Sequence, residues 1–224
     1  MLEQLGCRVR LGTFMGKDDV SSICRRLLAE RNFSSYDEFV TPNPDPVVVT
    51  SVFSWDHDRG FLSHNEGVYE SDLDGETVYG FLRDARVVFA PVGHPEVTRR
   101  LHREGVKVVY DSGWSDDLSI DGIKAFLPDI DVYTPNDREA MKLAGTGDLE
   151  EAVRFLARYT PHPVVTLGKG GCAYWEDGAI RYAPAVEEFR AVDTTGAGDN
   201  FLAGVIYGLL HDEPLGRCVR LGNI

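Results

Sequence analysis

Four short runs rich in β-branched residues recur through the second half of the chain: Val87 to Ala90, Val106 to Tyr110, Val132 to Thr134 and Val164 to Leu167. Apolar runs of this length, without polar alternation, are those of strands buried on both faces of a parallel sheet. The segments between them have helical character: Pro95 to Glu104, Arg138 to Ala144 and Leu149 to Tyr159, the last with Leu149, Ala152, Val153, Leu156 and Ala157 at helical spacing. Such alternation implies an α/β domain, doubly wound around a mostly parallel sheet. The first half reads differently. It offers short strands at Val9 to Phe14, Val47 to Phe53 and Phe61 to His64 and a helix at Asp19 to Arg31, with Pro42, Pro44 and Pro46 breaking any longer element. A small β lid on the α/β body fits this pattern, and so does a meander continuous with the main sheet.

A chain of 224 residues lies near the upper end of what one domain needs, so a single domain over 1–224 is expected, with lid strands within 9–14 and 47–64. Its 36 acidic and 23 basic side chains leave a formal charge of −13, which repels nucleic acids and anionic membrane surfaces. The same charge repels ATP at long range, so a nucleotide site here needs local donors such as backbone amides at a helix N-terminus. Cys7, Cys24, Cys172 and Cys218 are scattered, which suggests reduced thiols in the cytoplasm rather than a disulfide framework or a zinc site. No apolar run approaches the roughly 18 residues of a membrane span, and no signal segment opens the chain. The histidines show no metal-ligand spacing.

The stretch Asp193-Thr194-Thr195-Gly196-Ala197-Gly198-Asp199 runs into Phe201, Leu202, Val205, Ile206, Leu209 and Leu210 at helical spacing, so a glycine-rich loop opens an apolar helix. Small residues let backbone approach a ligand, and the helix N-terminus favours an anion. Asp199 beside that anion is badly placed to bind it but well placed to accept a proton from an attacking hydroxyl. A tight turn with Asp199 as a dipole-favoured first-turn residue explains the same letters, and the local pattern leaves both readings open.

The run from Asp193 to Ile206 resembles the C-terminal signature of the PfkB-type, ribokinase-like carbohydrate kinases. That resemblance implies a ribokinase-like fold and transfer of the γ-phosphoryl group of ATP to a hydroxyl of a small sugar or sugar acid. It implies Gly196, Ala197 and Gly198 as the anion hole, Asp199 as the catalytic base, and Asp193 and Thr195 near a monovalent cation such as K⁺. Thr134-Pro135-Asn136-Asp137-Arg138-Glu139 resembles the family's N-x-x-E element, which implies water-mediated binding of Mg²⁺ by Asn136 and Glu139; the same letters also spell a capping box. Val164-Val165-Thr166-Leu167-Gly168-Lys169-Gly170-Gly171 resembles its T-L-G-x-x-G turn, which places Thr166, Gly168 and Gly171 beside the nucleotide. Weaker matches are the strand ending at Asp111 followed by Trp114, and Gly16-Lys17-Asp18. Against the family pattern, sequence is expected before Met1 and after Ile224, including the residues that hold the sugar. An adenosine-like nucleoside kinase and a non-catalytic or regulatory binding protein remain as alternatives, and relatives suggest a homodimer through the lid strands.

Overall fold

A computed structural model describes residues 1–31, 33, 35–55, 58–64, 72–91, 93–113, 115–186 and 194–224. The chain divides into two compact units, Arg8–Asp74 and Met1–Cys7 with Gly75–Ile224.

In the smaller unit, β1 (Leu11–Phe14) leads to α1 (Asp19–Glu30) and β2 (Tyr36–Phe39), and the two strands pair in parallel. Asp18 caps α1: its carboxylate accepts from the Ser21 N–H at 2.8 Å and from the Ser21 hydroxyl, which itself accepts from the Gly16 N–H. Gly16-Lys17-Asp18 is thus a helix entry. Arg25 donates to both oxygens of Glu38 at 2.8 and 2.6 Å, tying α1 to β2. An antiparallel hairpin follows, β3 (Val49–Trp55) with β4 (Asp58–His64).

The larger unit begins with α2 (Gly75–Leu82), β5 (Val87–Phe89), α3 (Pro95–Arg103), β6 (Lys107–Tyr110), the short α4 (Ile120–Ile123) and β7 (Val132–Tyr133). It continues through α5 (Asp137–Ala144), α6 (Leu149–Leu156), β8 (Val164–Thr166), the hairpin β9 (Cys172–Glu176) and β10 (Ala179–Ala183), and closes with α7 (Ala197–Leu210) and α8 (Leu215–Gly222). Strands β5, β6 and β7 pair in parallel; β8 pairs antiparallel with β9, and β9 with β10. Parallel bridges between Tyr133 and Pro163 and between Asn136 and Thr166 join the two halves in the order β5-β6-β7-β8-β9-β10. The four expected buried runs are therefore neighbouring parallel strands. The β9–β10 hairpin was not expected; it turns on Asp177 and Gly178, both at positive φ (51° and 77°), as a two-residue turn matched to strand twist requires.

Val108, Val109, Val132, Val164 and Val165 are fully buried, because helices cover both faces of the sheet. Val109, Val132, Val164, Cys172 and Tyr174 share one cluster with Phe201, Leu202 and Val205 of α7 and Cys218 and Val219 of α8. Helices α3, α5 and α6 pack against β6, β8 and β9 through Leu101, Ala140, Leu143, Val153 and Leu156, all buried.

α7 and α8 approach so closely that a Cβ on Gly204 would lie 2.5 Å from the Leu221 carbonyl oxygen and 2.6 Å from the Gly222 Cα. Gly204→Ala is therefore expected to cost about 1–3 kcal/mol of overpacking. Gly80, inside α2 with open space where its Cβ would go, should gain roughly 0.4–1 kcal/mol as alanine. Urea titration of both variants checks the pair, and an equal loss at the two sites would contradict this account of the helix contact.

Candidate active site

Parallel strands end on the same edge of a sheet, and open α/β sheets bind ligands there. β6 delivers Asp111 to that edge, β7 delivers Thr134-Pro135-Asn136, and β8 delivers the turn from Leu167 to Gly171. Thr134, just past β7, still continues the ladder: its N–H and hydroxyl both donate to the Tyr110 carbonyl, at 2.9 and 3.2 Å. Asn136 is then the N-cap of α5. Its side-chain oxygen accepts from the Glu139 N–H at 2.9 Å, while Glu139 Oε2 accepts from the Asn136 N–H at 2.9 Å, so the capping box is formed. It folds the Glu139 side chain back toward the strand end, 3% exposed. The Thr166 N–H donates to the Pro135 carbonyl at 3.0 Å, which sets the two motif segments side by side. Beyond Thr166 the chain closes a tight turn, with the Leu167 N–H on the Gly171 carbonyl at 2.8 Å. Lys169 on that turn is exposed.

The glycine loop enters α7 through Gly196, whose φ of 74° is a left-handed conformation that suits glycine. The Ala197 N–H donates to the Thr194 carbonyl at 3.1 Å and closes the turn. The amides of Gly198 and Asp199 make no hydrogen bond among the described residues, as expected of a helix's first turn. Asp199 is exposed, and its Oδ2 lies 3.7 Å from where a Gly196 Cβ would stand, so the carboxylate turns back over the loop. Thr195 is exposed beside it, and Asp193 lies outside the described residues.

The structure adds Asp111, a residue that sequence signalled only as a strand ending in aspartate. Burial pushes its carboxyl above the ordinary range, a bond from the Gly113 N–H at 2.9 Å opposes that, and the negative charge of Asp199 adds to it. Glu139 is likewise pushed up, first by burial, against the Asn136 N–H bond, with the Asp111 charge adding to the rise. Three carboxylates from three elements thus lie within electrostatic reach in a chain: Asp199 acts on Asp111, and Asp111 on Glu139. Lys142, one turn after Glu139, donates to the Ser115 and Asp116 carbonyls at 2.8 Å each and ties the segment after Asp111 to α5. Among the described residues no three His, Cys, Asp or Glu side chains are grouped so as to hold a metal ion directly.

A parallel-sheet edge, a glycine loop at a helix N-terminus and an aspartate beside it make an α/β fold able to take an anionic ligand. The family model for pfkB family carbohydrate kinases matches residues 95–224, and the chain belongs to that family. It is therefore a sugar kinase, a phosphotransferase with an alcohol group as acceptor. Fructoselysine 6-kinase of Escherichia coli (strain K12) is 29% identical over 216 residues, an alignment covering 94% of this chain and 78% of that protein. Among solved structures, adenosine kinase from Sinorhizobium meliloti superposes with a TM-score of 0.77 at 21% identity, covering 99% of this chain and 72% of that one. Arabidopsis thaliana ribokinase complexed with ribose and ATP gives a TM-score of 0.73 at 21% identity, covering 96% and 72%. The fold is ribokinase-like. No helix among the described residues is long and apolar enough to cross a membrane.

Because the folded chain raises Asp111 and Glu139 above their unfolded values, the stability they contribute is full below the ordinary carboxylate range and is lost as pH rises through the raised values. At pH 7 their ionised forms weigh against the ligand-free fold. Asp111→Asn keeps an acceptor for the Gly113 N–H and removes the charge, so it should raise the melting temperature at pH 7 by about 2–4 °C. The difference should vanish near pH 4. Calorimetric scans across this range check the sign; a lower melting point at pH 7 would mean that the charge is compensated in the folded chain.

Proposed function

We propose that this protein transfers the γ-phosphoryl group of ATP to a hydroxyl of a small sugar or sugar acid, with Asp199 as general base. The observation that carries this reading is the Asp199 carboxylate turned back over Gly196, beside the open amides of the first turn of α7. In it, the loop Gly196-Ala197-Gly198 is the anion hole, where N–H groups and the helix end meet charge developing on the transferred group. Asp199 accepts the proton of the attacking hydroxyl in line with that group. Thr166, Gly168 and Gly171 border the nucleotide.

Asp111, Asn136 and Glu139 suit a hydrated Mg²⁺: burial first, and then the charge of Asp199 on Asp111 and of Asp111 on Glu139, raises the two carboxyls above their ordinary range, a condition a cation relieves. Bound with the nucleotide, Mg²⁺ neutralises charge on the phosphate oxygens. Thr195, with Asp193, is the proposed place of a K⁺ ion. Asp199 favours a kinase over a non-catalytic binding protein, and an adenosine-like acceptor is the rival among substrates.

The β3–β4 hairpin is proposed as a lid and a homodimer contact, because its register puts Val49, Phe53 and Leu62 on one face, 45%, 57% and 67% exposed. Light scattering should find a dimer that Leu62→Asp converts to monomer, and a monomeric parent at micromolar concentration would sink the contact.

The defining test is ADP release from Mg-ATP with ribose, fructose, fructoselysine, 2-keto-3-deoxygluconate and adenosine offered separately. One acceptor should drive release, and Asp199→Asn should lower it roughly 10²–10⁴-fold with ATP affinity nearly unchanged. Equal turnover by mutant and parent would remove the base assignment.

A further inference from the structure

The side chains of β6 and β7 alternate about the sheet, and its two faces are used differently. Val109 and Val132 share the cluster that contains Phe201 and Val205 of α7. Tyr110 and Tyr133, opposite one another in the parallel register, turn to the other face and stack, with ring centroids 5.3 Å apart and planes at 15°. Phe126 meets Tyr110 edge-on, at 5.1 Å and 78°. Tyr133 is fully buried, so its hydroxyl needs a partner inside the fold. That partner is Ser112 Oγ, at 2.9 Å. Burial pushes the Tyr133 phenol above its ordinary range, so it keeps its proton.

Ser112 lies just past β6, where the same alternation turns Asp111 toward α7 and Ser112 toward Tyr133. The charge of Asp199, in the first turn of α7, accordingly acts on Asp111. Asp111 Oδ1 accepts from the Gly113 N–H at 2.9 Å, and Gly113 takes φ 62°, so the carboxylate also belongs to a tight local turn. Further on, Lys142 of α5 holds the Ser115 and Asp116 carbonyls at 2.8 Å each. Two side chains from β7 and α5 thus tie down the segment that carries Asp111. The Tyr133 tie is the nearer one. A ring buried and stacked on Tyr110 cannot follow a moving loop, so the bond fixes Ser112 to the sheet.

We infer that Tyr133 is a positioning residue: its hydroxyl anchors Ser112 on one face of the sheet and so aims the Asp111 carboxylate from the other, toward α7 and the proposed cation site. The inference rests on the proposed reading of Asp111, Asn136 and Glu139 as the place of a hydrated Mg²⁺. A strand buried on both faces gains nothing from a hydroxyl as such, and burying one costs free energy unless it is bonded. Phenylalanine at 133 would fill the same space and keep the stack on Tyr110, while leaving Ser112 free to turn.

The test uses the full chain with Tyr133→Phe, Ser112→Ala, Asp111→Asn, and Tyr133→Phe combined with Asp111→Asn. Exchange of the Ser112 and Gly113 amides in ligand-free protein reads the anchor. Titration calorimetry reads its consequence, with ADP in Mg²⁺ and ADP in EDTA as the two probes. Tyr133→Phe and Ser112→Ala should each speed exchange several-fold and weaken Mg-ADP binding about three- to tenfold, the equivalent of one lost hydrogen bond, while leaving metal-free ADP unchanged. In the Asp111→Asn background, Tyr133→Phe should weaken Mg-ADP no further, because both changes act through one carboxylate. A hydroxyl that only supports the fold would alter both ADP affinities alike or neither, and an additive loss in the double variant would mean that Tyr133 acts by another route; either result overturns the inference. Unchanged exchange in Tyr133→Phe would refute the anchor. A parent that binds Mg-ADP no more tightly than metal-free ADP would instead overturn the proposed cation site, a failure seen in the parent alone.

Discussion

Two backbone hydrogen bonds carry the sheet across its middle: the Tyr133 N–H on the His162 carbonyl at 3.1 Å and the Thr166 N–H on the Pro135 carbonyl at 3.0 Å. β7 is only two residues long, so this is a narrow seam for a sheet of six strands. Its strength comes from what surrounds it, since Val132, Tyr133, Val164 and Val165 are all essentially without solvent exposure and the amides between them have no water to return to. The seam matters because it sets register. It places the N-cap of α5 beside the end of β8, and with that the N-x-x-E segment beside the glycine turn. Each motif alone is a local device, and the seam makes them one edge.

That edge is acidic in a chain already carrying −13. Attraction of a nucleotide to such a surface cannot come from net charge, which works against it within about a Debye length and is screened beyond. What remains is short-range and directional, as first-turn amides such as those of α7 are. The carboxyls of Asp111 and Glu139 are raised first by burial and then by a neighbouring carboxylate, so their ionised forms weigh against the ligand-free fold.

Sequence was most legible where burial was complete. The Val-rich runs at 87, 106, 132 and 164 became β5 to β8 because a strand covered by helices on both faces admits few polar residues. β2 escaped notice because Tyr36-Asp37-Glu38-Phe39 carries two acids, and its strand state depends on pairing with β1 and on Arg25 held against Glu38. The β9–β10 hairpin is a different case: Asp177-Gly178 between Cys172–Glu176 and Ala179–Ala183 is a strong local turn signal and was readable. At the proposed site, the order of three motifs marked the candidate residues, while Asp111 was signalled only weakly. The charge that acts on it, Asp199, lies far along the chain, and no spacing rule reports such proximity.

The segment Asn136 to Glu139 shows why a structural and a functional reading of the same letters need not compete. The capping box uses Asn136 Oδ1 and Glu139 Oε2, and each bond fixes a rotamer that a free side chain would sample at an entropic cost on binding. Glu139 Oε1 lies outside the box, on a carboxylate already folded against the strand end and partly desolvated. A glutamate free in solvent would have to be ordered and stripped of water before meeting a hydrated cation, whereas here folding has done both. The cap that secures α5 is therefore also what orders the carboxylate, and a glutamine there would keep the helix start while losing the charge.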